Sequence, residues 1–303
     1  MGSWTNATAS RPARRSLPPD ARRPSTSTDA GILRPDQFAK YVELDRPAPD
    51  PALDRWIEHY WTVRWDLPVG SSYLSEVVPH PAVHVTVESG SEPHHGLAMP
   101  AALVHGVVTR RFSIDVSGEG RSFGIKFRPG GFGAWTGEDV GAWTDRIEPL
   151  EMVFGADAAT LLHDVLAEAS DLGRAGVMDE FLLSRLPAPD PTYDRVLAIV
   201  ADLVADPALV TVEQVASRHA MSVRTLQRLF RRYVGVGPKW VLQRHRLHDA
   251  VTLIDAGEYA DLADSPPGSG GSTRPTSPAT SPTWSHVSTG LRSPLNQSRD
   301  QCW

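Results

Sequence analysis

Arg224, Gln227, Arg228 and Arg231 stand three and four residues apart, so on one helix they share a face. A guanidinium can bond a guanine edge bidentately, and a carboxamide can do the same for adenine. An Arg–Gln–Arg face on the N-terminal half of a short helix therefore suits a DNA major groove. From Thr211 to Ala250 eight Lys and Arg stand against two Asp and Glu, a formal +6, whereas the whole chain carries −6. A local basic excess on an acidic chain is the electrostatic footprint of a nucleic-acid module; on charge alone, a solvated helix face accounts for it equally well.

Such side chains need a helix to hold them, and the neighbouring residues predict one. Leu226, Leu229, Phe230 and Tyr233 recur at i, i+3, i+4 and i+7 and make a core-facing stripe opposite the basic face. Ser222 is an N-cap whose hydroxyl takes a free backbone N–H. Gly235 fits the left-handed backbone of a helix C-terminus, and Pro238 fits the first position of the next helix. Upstream, Thr211 and Gln214 have capping-box spacing, and Val212, Val215, Ala216 and His219 give the helix they start one largely apolar face. Downstream, Val241, Leu242, His245, Leu247, Val251 and Leu253 predict the buried stripe of a longer helix.

This order of residues closely resembles the first helix-turn-helix and the linker helix of the AraC/XylS family of bacterial transcription regulators. The matching positions are Val215-Ala216, Ser222, Leu226, Arg228, Phe230-Arg231, Gly235, Pro238, Trp240, Leu242, Arg246-Leu247, Ala250 and Leu253-Ile254. The resemblance implies base contacts from Arg224, Gln227 and Arg228, the three that the helix face had already singled out. Candidates for phosphate contacts are Ser222, Thr225, Arg231, Arg232, Lys239 and Arg244.

The 303 residues suffice for two domains, and 41% hydrophobic content is compatible with ordinary cores. A single cysteine, Cys302, rules out an internal disulfide framework and suits a reducing compartment. No apolar run approaches the ~20 residues of a membrane span, and the N-terminus lacks the apolar segment of a secretory signal. A cytoplasmic protein without membrane association is the reading by exclusion. Residues 1–31, rich in Arg, Pro, Ser and Thr, predict a disordered tail.

Residues 32–186 change to short runs broken by Gly, Pro, Ser and Asp. Strands are predicted at Trp56–Trp65, Ser75–Val78, Ala82–Val87, Ala102–Val108, Arg111–Val116 and Ser122–Phe127. They predict a small antiparallel barrel or sandwich, hence an α+β chain in which a β-barrel or sandwich-like domain precedes an all-α helix-turn-helix domain at 187–262. Trp56, Tyr60, Trp61, Trp65, Phe123, Phe127, Phe132 and Trp135 could line a core or a pocket. Within about Pro35–Leu150, the series YWTVRW, SEVVPHPAVHV and FGIKFRPGGFGAW is similar to an N-terminal domain of some AraC-like regulators, which implies a sensing or dimerising role. Helical clusters follow, Leu161, Leu162, Val165 and Leu166, then Val177, Phe181, Leu182 and Leu186. The stiff stretch Pro187–Pro191 is the predicted boundary. Beyond it Tyr193 to Val204 reads as a helix burying Val196, Ile199, Val200 and Leu203.

Three polar features of the β-rich part could carry chemistry. His80 and His84 lie four apart and would share a strand face, with His94, His95 and His105 elsewhere. Imidazole clusters hold zinc or iron, yet no carboxylate or cysteine stands at a recognisable ligand spacing, so no metal is expected. Lys126-Phe127-Arg128-Pro129-Gly130-Gly131 could hold an anion or could simply close a strand. Arg110-Arg111 read as edge charges that discourage strand pairing. No Ser/His/Asp, paired-carboxylate or Cys/His arrangement stands out, so neither an enzyme nor a cofactor is expected.

The family pattern stops near Ala263. Residues 264–303 are rich in Ser, Pro, Thr and Gly and lack helical periodicity, which predicts a disordered tail over 263–303. Back-translated from Ser265 in a shifted frame, the same codons permit LAARLGWFDQAHFTRDF, a close match to the second recognition region of that family. The sequence therefore predicts a frameshift near Ala263 and DNA binding weakened by the loss of one recognition helix. The expected partners are double-stranded DNA, RNA polymerase, a small-molecule effector and a second copy of the chain. The rival readings are a ligand-binding or dimerising remnant without effective DNA binding, and a metal-dependent β-barrel enzyme.

Overall fold

The computed structural model describes residues 32–255, so the readings for 1–31 and 256–303, including both tails and the shifted frame, lie outside the described residues. Two long strands form the spine. β2 (Ile57–Asp66) runs antiparallel to β7 (Glu119–Phe127), with Tyr60 opposite Ile125 and Trp61 opposite Gly124. Around them β1 (Glu43–Asp45), β4 (His84–Gly90), β5 (Ala101–His105) and β8 (Ile147–Pro149) complete a six-stranded antiparallel sheet in the order β1–β2–β7–β4–β5–β8. β3 (Ser72–Val77) and β6 (Phe112–Ser117) pair into a separate ribbon. The ribbon faces the sheet instead of closing it, so the arrangement is sandwich-like and mixed α+β, as the short broken runs imply. The predicted strands recur with ends shifted by at most three residues. β1 and β8, three residues each, are too short to show a period.

Period-two alternation gives the large sheet two different faces. Tyr60, Val85, Val87, Phe123, Ile125 and Phe127 point into the main core, which α4 (Asp157–Ala167) and α5 (Asp171–Leu183) cover. There the Tyr60 hydroxyl donates to Asp179 Oδ1 at 2.7 Å. Trp61, Trp65, His84, Thr86, Glu88 and Lys126 point the other way, toward Phe112, Ile114 and Val116 of the ribbon. Two glycines make this second face possible. A Cβ at Gly124 would lie 2.2 Å from the Trp61 indole, and one at Gly120 would lie 2.1 Å from that of Trp65. Only glycine lets each ring lie across the neighbouring strand.

The helical half is not a separate bead. α1 (Pro35–Tyr41) precedes β1, α2 (Gly131–Thr136) follows β7 and α3 (Glu151–Phe154) follows β8. α6 (Pro191–Ala205) starts at Asp190, whose carboxylate accepts from the backbone N–H of Thr192 and Tyr193. Tyr193 is fully buried and donates to the carbonyl of Arg55. Phe132, Trp135, Val140, Tyr193, Val196 and Phe230 belong to one continuous core that runs across the Pro187–Pro191 stretch. Among the described residues no helix is long and apolar enough to cross a membrane.

α7 (Val212–Arg218) opens with the predicted capping box: Thr211 Oγ1 accepts from Gln214 N, and Gln214 Oε1 accepts from Thr211 N. It closes through Ala220 at φ 49°, which lets Met221 N donate back to the Ala216 carbonyl. An L-residue pays about 1–2 kcal/mol for that backbone. Ala220→Gly is therefore expected to raise stability by about 0.5–1 kcal/mol despite glycine's greater unfolded-state freedom; the urea midpoint measures it.

α8 (Val223–Val234) is capped by Ser222 and ended by Gly235 at φ 88°, and it buries Leu226, Phe230 and Val234. In α9 (Pro238–Asp255) the inward stripe is Val241, Leu242, His245 and His248. Leu247, which the periodicity placed inward, is 43% exposed, because the i, i+4, i+7 course from Val241 reaches His248 instead. The side chains of Val251 and Leu253 lie outside the described ones. Leu186, expected in a cluster, is likewise 46% exposed beyond the end of α5.

Candidate functional site

On α8 the structure brings Arg224, Thr225, Gln227 and Arg228 together on an exposed surface, with the apolar residues of the same helix buried beneath them. The Ser222 hydroxyl caps the helix by accepting from Thr225 N at 3.1 Å and lies 2.9 Å from the Thr225 hydroxyl. Two polar groups at the helix start are thus set beside the positive end of the helix dipole. Arg231 and Arg232 are also exposed but lie toward the β-rich part, where Arg232 Nη2 donates to the Gly137 carbonyl at 3.5 Å. Lys239 is exposed on the first turn of α9. Arg244 stands apart: its guanidinium lies 4.6 Å over the Trp240 ring, and Nη2 donates to the Thr109 carbonyl at 3.4 Å. That side chain ties α9 to the β-rich part.

The C-terminal half of α8 is docked where its N-terminal half is free. Thr144 Oγ1 donates to the Gly235 carbonyl at 2.7 Å, and the Tyr233 hydroxyl donates to Asp190 Oδ2 at 2.7 Å. Gly133 of α2 comes so near that a Cβ there would lie 3.2 Å from the Tyr233 carbonyl oxygen.

Between the large sheet and the ribbon lies a cavity of about 260 Å³, lined mainly by Phe38, Val42, Trp61, Val63, Trp65, Phe112 and Ile114. Two polar groups interrupt this lining. The first surrounds Lys126, which is 2% exposed and donates to Glu58 Oε1 at 3.2 Å. Trp61 Nε1 donates to His84 Nδ1 at 3.1 Å, which leaves the other ring nitrogen of that imidazole as its N–H. His80 stacks on His248 of α9, ring centroids 3.9 Å apart, and His248 Nε2 lies 3.3 Å from the Pro79 carbonyl. The cavity wall therefore touches the helix that follows α8.

Burial, then the Lys126 ammonium, pushes the His59 imidazole down to about 4, against a weaker upward pull from Glu58. Burial likewise takes His248 down to about 4, and burial with Lys126, His248, His84 and His245 holds His80 far below the usual imidazole range. In each case the folded chain binds the proton more weakly than the unfolded chain does. The sign follows: as pH falls from about 6.5 toward 4, unfolding takes up protons and stability is lost, with a slope approaching ~1.4 kcal/mol per pH unit for each histidine. Urea midpoints at descending pH are expected to fall across that window and to change little above it.

The second polar group is an acid among imidazoles. Glu88 on β4 is 3% exposed. Its Oε1 accepts from the Thr86 hydroxyl at 2.7 Å and lies 3.2 Å from His105 Nε2. Its Oε2 lies 3.4 Å from His94 Nδ1 and 3.5 Å from His95 Nε2, without hydrogen-bonding geometry. Burial pushes the Glu88 carboxyl up, but His105, His94 and His95 outweigh it and hold the group ionised, well below the usual carboxylate range. His95 reaches inward because His94–Leu97 is a tight turn with positive φ at His95 and Gly96.

The 126–131 stretch does not form an anion site. Lys126 points into the cavity, Arg128 Nε donates to the Asp54 carbonyl, and Gly130 and Gly131 make room for Tyr193. Arg111 is paired with Glu76 at 3.3 Å, so it is held across the ribbon as well as exposed at its edge. The grouping of Glu88, His95 and His105 escaped the spacing search, since the three come from one strand, a turn and the next strand. The only local signal was a Glu four residues after His84 in an alternating strand.

Residues 45–149 match a family model described as a domain of unknown function (DUF6597), within the 35–150 span picked out by sequence and over less than half of the chain. No curated protein sequence matches the chain. Among solved structures the chain is similar to that titled "Crystal structure of the AraC-like transcriptional activator CuxR", at 12% identity over 72% of this chain and 89% of that chain, with a TM-score of 0.22. So slight a likeness carries no weight for function.

Proposed function

We propose that the chain is a non-enzymatic, sequence-specific transcription regulator of the AraC type that reads a DNA major groove with α8. The observation that carries this reading is the exposed Arg224–Gln227–Arg228 face on a capped, buried-backed helix that follows α7 through a tight turn. Arg224 and Arg228 are assigned to guanine edges and Gln227 to adenine. Ser222, Thr225, Arg231, Arg232 and Lys239 are assigned to phosphates, whereas the Arg244 bond to Thr109 suits a link to the β-rich part. Effector sensing is assigned to the cavity, whose wall residues Pro79 and His80 touch His248 of α9. A ligand that shifted them would act directly on the helix following the reading head.

Selection of bound sequences from a random DNA pool by the full chain tests the assignment. A defined motif is expected, and Arg228→Ala is expected to relax choice at one or two positions of it while leaving the others intact. Recovery of unenriched DNA by both proteins would leave the chain as a remnant that senses without reading sequence.

A further inference from the structure

We propose that Glu88, His95 and His105 bind a divalent transition-metal ion at one side of the cavity. The proposal stands independently of DNA binding. One donor atom from each of the three residues lies within 4.8 Å of the other two. Tetrahedral zinc with bonds of about 2.0–2.1 Å sets its ligand atoms roughly 3.3–3.5 Å apart. Glu88 Oε1 stands 3.2 Å from His105 Nε2 and Glu88 Oε2 stands 3.5 Å from His95 Nε2, so an ion seated on the carboxylate comes within reach of both imidazoles after a modest turn of each ring.

The alternative is a hydrogen-bonded acid–imidazole network; Thr86, His105 and Glu88 Oε1 make one, but it leaves the second carboxylate oxygen out. Glu88 Oε2 is buried without a hydrogen-bond partner, 3.5 Å from His95 Nε2. A network kept for stability would satisfy that oxygen as well. A cation between Glu88 and its histidines supplies what the oxygen lacks. Thr86 Oγ1, 2.7 Å from the other oxygen and 2.9 Å from His105 Nε2, would hold the carboxylate beside that imidazole. Two imidazoles and one carboxylate favour Zn²⁺, Co²⁺ or Fe²⁺ over the all-oxygen preferences of Ca²⁺ and Mg²⁺. Three protein ligands also leave a position open, as in sites that bind a further molecule. Glu88, His95 and His105 all line the cavity with Phe112, Ile114 and Trp65, so that position faces apolar space. The matching ligand has an apolar body and one metal-binding oxygen, a carboxylate or a phenolate.

The test is titration of the chelator-treated full chain with Co²⁺ and Zn²⁺, followed by calorimetry and, for Co²⁺, by its visible spectrum. One equivalent is expected to bind, with the intense bands of four- or five-coordinate Co²⁺ and displacement by Zn²⁺. Glu88→Gln, His95→Ala and His105→Ala are each expected to weaken binding by about a hundredfold or more. His163→Ala, at an exposed histidine on α4, should change nothing. If Glu88→Gln loses its near-ultraviolet dichroism, His95→Ala at the turn decides in its place. No stoichiometric binding, or binding that survives any of the three substitutions in a folded chain, overturns the proposal.

Discussion

Replacing Arg224 and Arg228 together by alanine is expected to lower affinity for the selected DNA sequence by about 2–6 kcal/mol, roughly thirtyfold to twenty-thousandfold. Each guanidinium is exposed on α8 and can offer two parallel donors to one guanine, which a methyl group cannot replace. Neither side chain contributes to the buried stripe of Leu226, Phe230 and Val234, so the helix itself should persist. Affinity for unrelated sequences should fall far less, by the two lost charges alone, and that part should shrink with added salt. Fluorescence anisotropy on selected and scrambled duplexes at two salt concentrations separates the two terms. An equal loss on both duplexes would reduce the arginines to phosphate contacts and remove base reading from α8.

Phe230→Ala carries the second large effect, and it acts from the opposite face of the same helix. Phe230 is fully buried in the core shared by the β-rich and helical parts, alongside Leu226, Val234 and, across the boundary, Phe132 and Val140. Truncating a buried phenylalanine costs about 3–5 kcal/mol through lost transfer energy and the cavity left behind. In a folded region of this size that is a melting temperature lower by roughly 6–20 °C. The loss should be shared: because α8 docks on α2 and on Thr144, near-ultraviolet signals from the tryptophans of the β-rich part should weaken together with helix content. If only the helical signal melted early, the two halves would be energetically separate, and the continuous core would not couple them. Phe230→Leu, which restores most of the volume, should recover most of the stability.

Much of the helical half was legible because its signals are local. The Thr211–Gln214 capping box, the Ser222 cap, the Gly235 stop and the start at Pro238 each depend on residues within four positions, and each recurs in the structure. Where the reading slipped, the slip was one of phase: Leu247 and His248 differ by a single step around α9, and packing against Pro79 and His80 chose the histidine. The β-rich half was legible as strands and not as a site. Alternation predicted where strands run. It did not reveal that Trp61 and Trp65 face a cavity while Tyr60, Phe123 and Phe127 face the core, since both faces are aromatic.

By itself, then, the sequence determined the caps, most of the strand and helix spans and the exposed basic face of α8, all of which arise from interactions between residues near one another along the chain. Only the tertiary structure decided that Glu88, His95 and His105 meet in one buried cluster, that Lys126 turns inward, that His248 ties α9 to the cavity wall and that Arg244 ties it to Thr109. Those contacts join groups separated by up to well over a hundred residues. Strand register and the packing of sheet on ribbon bring them together, and neither leaves a fixed spacing in the sequence.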